Sequence, residues 1–193
     1  LAMVLTHGFT RTTLAAYLSA VVTILIAIVL GDFFVGAAHL TGFTDDASTA
    51  LSFSVGQTLA MDGLLLGAMI IGVLGIIDDL AITQVLTVAE LKRANTTLSP
   101  KELFSRAMRV GKEHLGAVVN TLVLAYLGAS MPLLILFTVL PTDKGFLLNS
   151  EIIATEIIRS SVGGVALALV VPIATALAVV LMRPSDRGHG HLH

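Results

Sequence analysis

The chain has 193 residues, of which 55% are hydrophobic and 12% charged, with a mean hydropathy of +0.94 and a formal net charge of −2. A soluble domain usually carries about 25% charge, so this chain has too little polar surface to cover a water-soluble globule, and lipid must be its solvent over much of its area. The slight negative charge gives no basis for binding nucleic acid, and the absence of cysteine excludes disulfides and thiolate metal sites.

In chain order, the first residue is Leu1 and not Met, which points to a fragment or processed product of a longer membrane protein. No small-residue cleavage site follows the first apolar run, so a cleavable signal is not expected. A membrane span needs about 20 mostly apolar residues. The stretch 13–31 qualifies as the first and carries no charge. Phe33, Phe34, Phe43 and Phe53 then offer aromatic anchoring in a chain without tryptophan. The loop 32–62 reads as a short solvated turn; Asp32, His39, Asp45 and Asp46 in it have no diagnostic metal spacing, and no metal is expected. The second span, 59–89, is apolar apart from Asp62 and the adjacent pair Asp78 and Asp79. As a straight helix it would be about 45 Å long against a hydrocarbon core of about 30 Å. It must therefore tilt, protrude or break.

Next comes a helix start: Ser99 as N-cap, Pro100 at the first helical position and Glu102 at the third. Leu103, Phe104, Ala107, Met108 and Leu115 recur on one side, with Arg106, Arg109 and Lys112 away from them. The segment 100–114 is thus expected as an amphipathic helix lying at the interface. The stretches 115–140, with Pro132, and 161–182, with Pro172, read as the third and fourth spans, followed by a disordered tail at 184–193. No Lys or Arg occurs between Arg11 and Lys92, whereas six occur from Lys92 to Lys112. By the positive-inside rule, both termini and this connection are cytoplasmic. The expected fold is all-α: a polytopic transmembrane helix bundle of about four spans, with one interfacial helix.

Helical spacing places Ala68, Gly72, Gly75, Asp79, Thr83 and Thr87 in one stripe. Asp78 is rotated from it by about 100°. The third span offers Asn120, Thr121 and Tyr126, with a small-residue row of Ala117, Thr121, Ala125 and Ala129. Packing the two rows, with Gly72, Gly75, Gly116 and Gly128 as close-contact positions, would gather carboxylate, hydroxyl and amide oxygens. Such oxygens suit a hard cation or a proton relay. The competing reading makes Asp79 a hydrogen-bonded strut between helices. Glu156 and Arg159, three apart, are expected to pair at the outer mouth of the fourth span. Adjacent acids on one helix are poorly placed to share a proton across a substrate, and no phosphate loop or zinc helix motif occurs. An enzyme is not expected, and neither is a cofactor.

Four segments carry a resemblance. They are Gly75-Ile76-Ile77-Asp78-Asp79-Leu80-Ala81-Ile82-Thr83, then Ala89-Glu90-Leu91-Lys92, then Leu98-Ser99-Pro100-Lys101-Glu102-Leu103-Phe104. The last and most specific runs from Gly116-Ala117-Val118-Val119-Asn120-Thr121-Leu122 through Ala125-Tyr126-Leu127-Gly128. Together they resemble the YibE/YibF-like family of bacterial multi-pass membrane proteins. On that resemblance the family's acid corresponds to Asp79, while Asp78, Leu86 and Ala117-Val118 depart from the pattern. It implies a bacterial inner-membrane protein with more than four spans. Two functions are then in view. One is a proton- or cation-linked transporter or permease component acting on a small solute or ion. The other is a non-catalytic membrane subunit, packing as a homo-oligomer or against another membrane subunit.

Overall fold

In the computed structural model, which describes residues 10–44, 46–55, 59–139, 145 and 149–182, each apolar run is helical and no strand occurs among the described residues. The elements are α1 (Arg11–Ala37), α2 (Asp46–Val55), α3 (Met61–Ala94), α4 (Pro100–Ala129), α5 (Met131–Val139) and α6 (Glu151–Leu181). Three of these, α1, α3 and α6, are each long and apolar enough to cross a membrane, and α4 with α5 forms a fourth, bent candidate. The expected all-α bundle is what the chain adopts. Asp45 and the tail 184–193 lie outside the described residues. The loop 32–62 is more than a turn, since it contains α2.

Small residues set the packing. The buried face of α1 is Thr13, Ala15, Ala16, Ser19, Ala20, Thr23, Ala27, Gly31 and Val35, so α3 and α6 approach it closely. Its hydroxyls are satisfied within the helix: Thr23 Oγ1 donates to the Ser19 carbonyl at 2.8 Å. At two positions a glycine leaves room for a neighbouring side chain. A Cβ at Gly31 would collide with Leu66, and one at Gly163 with Val73. Neighbouring helices alternate in direction. One end of the core joins Ala15, Val88, Leu103 and Ala178; the other joins Val35, Leu65 and Met69, with Ile158 against them. The start of α1, the α3–α4 connection and the end of α6 therefore share one end of the bundle, the end that carries the six basic residues.

The helix boundaries depart from expectation at three places. The segment 100–114 is not a separate interfacial helix but the first half of α4, with Leu103, Ala107 and Gly111 buried against α3 and α6. Nothing there stops a helix: a glycine costs only about 1 kcal/mol relative to alanine. The expected capping box does form, with the Ser99 hydroxyl accepting from Glu102 N–H and the Glu102 carboxylate accepting from Ser99 N–H at 3.0 Å. Those bonds from Ser99 hold the exposed Glu102 carboxyl below its ordinary range. The third span is broken. The axis turns by 50° between α4 and α5, just before Pro132. Proline has no N–H to donate and its ring crowds the carbonyl four residues back, here that of Gly128. The last helical bond of α4 is the one from Ser130 N–H to the Tyr126 carbonyl, at 2.9 Å. Finally, α6 starts at Glu151 and runs through Pro172 without a break, so the fourth span is longer than 161–182.

Candidate functional site

The core-facing positions of α3 are Leu65, Met69, Val73, Ile77, Leu80, Ala81, Gln84, Val85 and Val88. Asp79 lies off that face and is exposed, while Asp78 is half-buried. Asp79 opens into a groove of about 410 Å³ between α3 and α4. Gly75, Ile76 and Asp79 form one wall; Ala117, Val118, Thr121, Leu122 and Ala125 form the other. The two rows anticipated from spacing thus face each other. Thr121 Oγ1 donates to the Ala117 carbonyl at 3.1 Å, which leaves its lone pairs available as an acceptor. Thr83 and Thr87 continue the same α3 face as an open surface that reaches Glu90.

Other expected members are not brought in. Asn120 is exposed on α4 outside the lining of the groove. Tyr126 is half-buried within electrostatic reach of Glu156 and Arg159, away from Asp79. Glu156 and Arg159 do pair, at 2.8 Å, with about a third of each side chain exposed. The expected close packing at Gly72, Gly75, Gly116 and Gly128 is not made within the described residues, where a Cβ at each would meet nothing within 4 Å. The second half of α4 packs on the core through Leu115, Val118 and Leu122, while Ala117, Thr121 and Ala125 along the groove are exposed.

The register of the helices around the site follows from Gln84. This side chain is 4% exposed, and its amide nitrogen donates to the Ala107 carbonyl at 3.0 Å and to Thr175 Oγ1 at 2.7 Å. A carbonyl can only accept, so the orientation of the amide is fixed. Gln84, Ala107 and Thr175 therefore mark one level across α3, α4 and α6. Gly111 lies against the same side chain, where a Cβ would press on Gln84 and Val171. Further along α4, Arg109, Lys112 and Glu113 are exposed and charged, side chains that favour water or headgroups over hydrocarbon. Ala117, which lines the groove with Asp79, is about 6 Å beyond Glu113 by helical rise. Asp79 is about 25 Å from Asp62. Along α3 itself Asp79 is near the middle of the 34 residues, and by rise it is nearer to the charged turn of α4 than to Asp62. From Asp62 to Ile82, α3 covers about 30 Å; His114 to Ala129 with the tilted α5 covers about 32 Å.

A family model described as YibE/F-like protein matches residues 1–184. The chain belongs to the YibE/F-like family. No curated protein and no solved structure matches it. As a YibE/F-like protein with apolar helices of spanning length, it is a membrane protein.

Two features of this YibE/F-like chain escape a reading by spacing alone. Gln84 lies inside an apolar run whose mean hydropathy hides it; a polar residue in register with Ala81 and Val88 was the available signal. Glu151 is the other. Its carboxylate accepts from Thr41 N–H at 2.6 Å, from Gly42 N–H at 2.9 Å and from the Thr41 hydroxyl at 2.8 Å. The start of α6 is thereby tied to the turn after α1. Gly42 has a φ of +83° and its backbone abuts the Met61 carbonyl, so a side chain is excluded there.

Proposed function

We propose that this protein is the membrane component of a proton- or cation-linked transport system in the bacterial cytoplasmic membrane, with its basic end in the cytoplasm. The observation that carries the reading is Asp79 opening into a groove with Thr121 opposite. A carboxylate supplies the charge that a proton or hard cation needs on leaving water, and the hydroxyl supplies a further oxygen. An unpaired acid inside the hydrocarbon boundary costs about 2.5–3.5 kcal/mol at the helix centre and less near the interface, and such residues commonly mark ion pathways. The reading is non-catalytic: Asp78 and Asp79 point in different directions, and α4 brings no acid to the groove. The test is flux of protons and of monovalent and divalent cations in reconstituted vesicles. Asp79→Asn is expected to lower it at least about tenfold, the equivalent of 1.4 kcal/mol of lost ion binding. Flux unchanged by the substitution would remove Asp79 from the pathway.

A second observation favours a companion reading. The uncovered glycines beside the groove, Gly72, Gly75, Gly116 and Gly128, offer close approach to a further helix. On that reading the chain is a membrane subunit whose groove is completed by a second copy or by another subunit.

A further inference from the structure

We infer that Asp79 is reached by water and cations from the basic end of the bundle alone, along the α3 face made by Glu90, Thr87 and Thr83. This deepens the proposed ion-binding role of Asp79 and rests on it for its purpose, though not for its test.

Three observations converge. The first is distance: Ala117, which shares the groove with Asp79, is about 6 Å by rise from the charged side chain of Glu113, whereas Asp62 is about 25 Å from Asp79. The second is continuity. The groove holding Asp79 is followed along the same helix by the open surface that carries Thr83, Thr87 and Glu90. The third is asymmetry. In the other direction, the lining of the Asp79 groove ends at Gly75 and Ala125, and α3 has no polar side chain between Asp62 and Asp78.

The chemistry of the face selects cations. It begins at the carboxylate of Glu90, which is exposed and held by Arg93 at 2.7 Å in a pair too solvated to close the entrance. Two hydroxyl-bearing residues follow, with Thr87 Oγ1 donating to the Thr83 carbonyl at 2.8 Å and retaining acceptor capacity. The face ends at Asp79. Gln84, clamped between α4 and α6 on the far side of α3, fills the interior there and leaves the outer face as the route.

Because the chain lacks cysteine, single thiols can be introduced directly. Lys112→Cys marks the basic face of sealed vesicles and Asp62→Cys the opposite face. The probe is a charged, membrane-impermeant methanethiosulfonate, which reacts with thiolates in water. Thr83→Cys, Thr87→Cys and Thr121→Cys are expected to react roughly tenfold or more faster from the face that labels Lys112→Cys. Thr121→Cys is decisive, since it lies across the groove from an intact Asp79. Faster reaction from the Asp62 face overturns the inference. So does an inert Thr121→Cys that a membrane-permeant maleimide still labels. The readout is independent of flux: one-sided labelling with flux insensitive to Asp79→Asn would retain the access route and remove the transport role. Sensitive flux with labelling from the Asp62 face would do the reverse.

Discussion

Gln84 holds three helices together through one side chain, and its contribution can be separated into packing and hydrogen bonding. The Ala107 carbonyl has its own helical partner, and the Thr175 hydroxyl already donates to the Val171 carbonyl at 2.7 Å. Removing the amide therefore strands no donor, and the loss per hydrogen bond should sit near the ordinary 0.5–1.5 kcal/mol. Gln84→Met, which keeps the volume, is expected to cost about 1–2 kcal/mol in thermal or denaturant unfolding in detergent. Gln84→Ala adds a cavity at a fully packed level and should cost about 2–4 kcal/mol. If Gln84→Met unfolds like the parent while Gln84→Ala does not, the network contributes nothing beyond volume. At this scale the sequence was legible where spacing alone mattered: Asp79 and Thr121 sit in three- and four-residue rows, and the rows face each other. Gln84 and Glu151 were not legible, because their partners, Ala107 and Thr175 or Thr41 and Gly42, are distant in the chain. No local pattern encodes those pairings.

Among the elements, α4 is where local and tertiary signals part. Its start was readable to the residue from Ser99, Pro100 and Glu102, because a capping box is satisfied within one turn. Its amphipathic first half looked like a helix lying on a surface. In the fold, that apolar face is narrow and small enough to pack against α3 and α6, and no breaker separates it from the apolar half that follows. Gly111 is the contact that permits this. Alanine there gains up to about 1 kcal/mol of helix propensity. Its Cβ, however, would lie 2.5 Å from Gln84 Oε1 and 2.6 Å from Val171 Cγ1. Overpacking of this kind costs about 1–3 kcal/mol. Gly111→Ala is thus expected to lower stability, while Gly116→Ala, with open space around it, should raise it by about 0.5–1 kcal/mol in the isolated chain. A stabilised Gly111→Ala in the same unfolding assay would show that α4 does not press on Gln84. The bend before Pro132 was foreseeable as a proline effect, but its size depends on how little packs against α5.

For the molecule as a whole, the asymmetry of charge was the clearest signal, and it maps onto one end of the bundle. The extra length of α3, about 51 Å for its 34 residues, emerges at that end, alongside the start of α4. What hydropathy alone did not reveal is how α3, α4 and α6 are set against one another, which the bonds of Gln84 to Ala107 and Thr175 fix. The same architecture leaves one side unfinished. Three helices, α1, α3 and α6, bury one another's small-residue faces, whereas most of α4 beyond Gly111 is exposed, including Val123, Leu124 and Leu127. Lipid can cover those apolar groups without cost, but it cannot satisfy Asp79 or reward the open glycines. A neighbouring helix can do both, because glycine admits a backbone to van der Waals distance and a backbone or hydroxyl donor can reach the acid. If the companion reading holds, Gly75→Leu and Gly116→Leu will abolish association in the membrane while leaving the unfolding of the single chain within about 1 kcal/mol of the parent, since a Cβ at either meets nothing within 4 Å. Crosslinking in native membranes, followed by sizing after mild solubilisation, separates the outcomes. A parent chain that migrates alone, with crosslinking no different in the glycine variants, would mean that the groove faces lipid. Asp79 would then have to be served by water entering from the basic end.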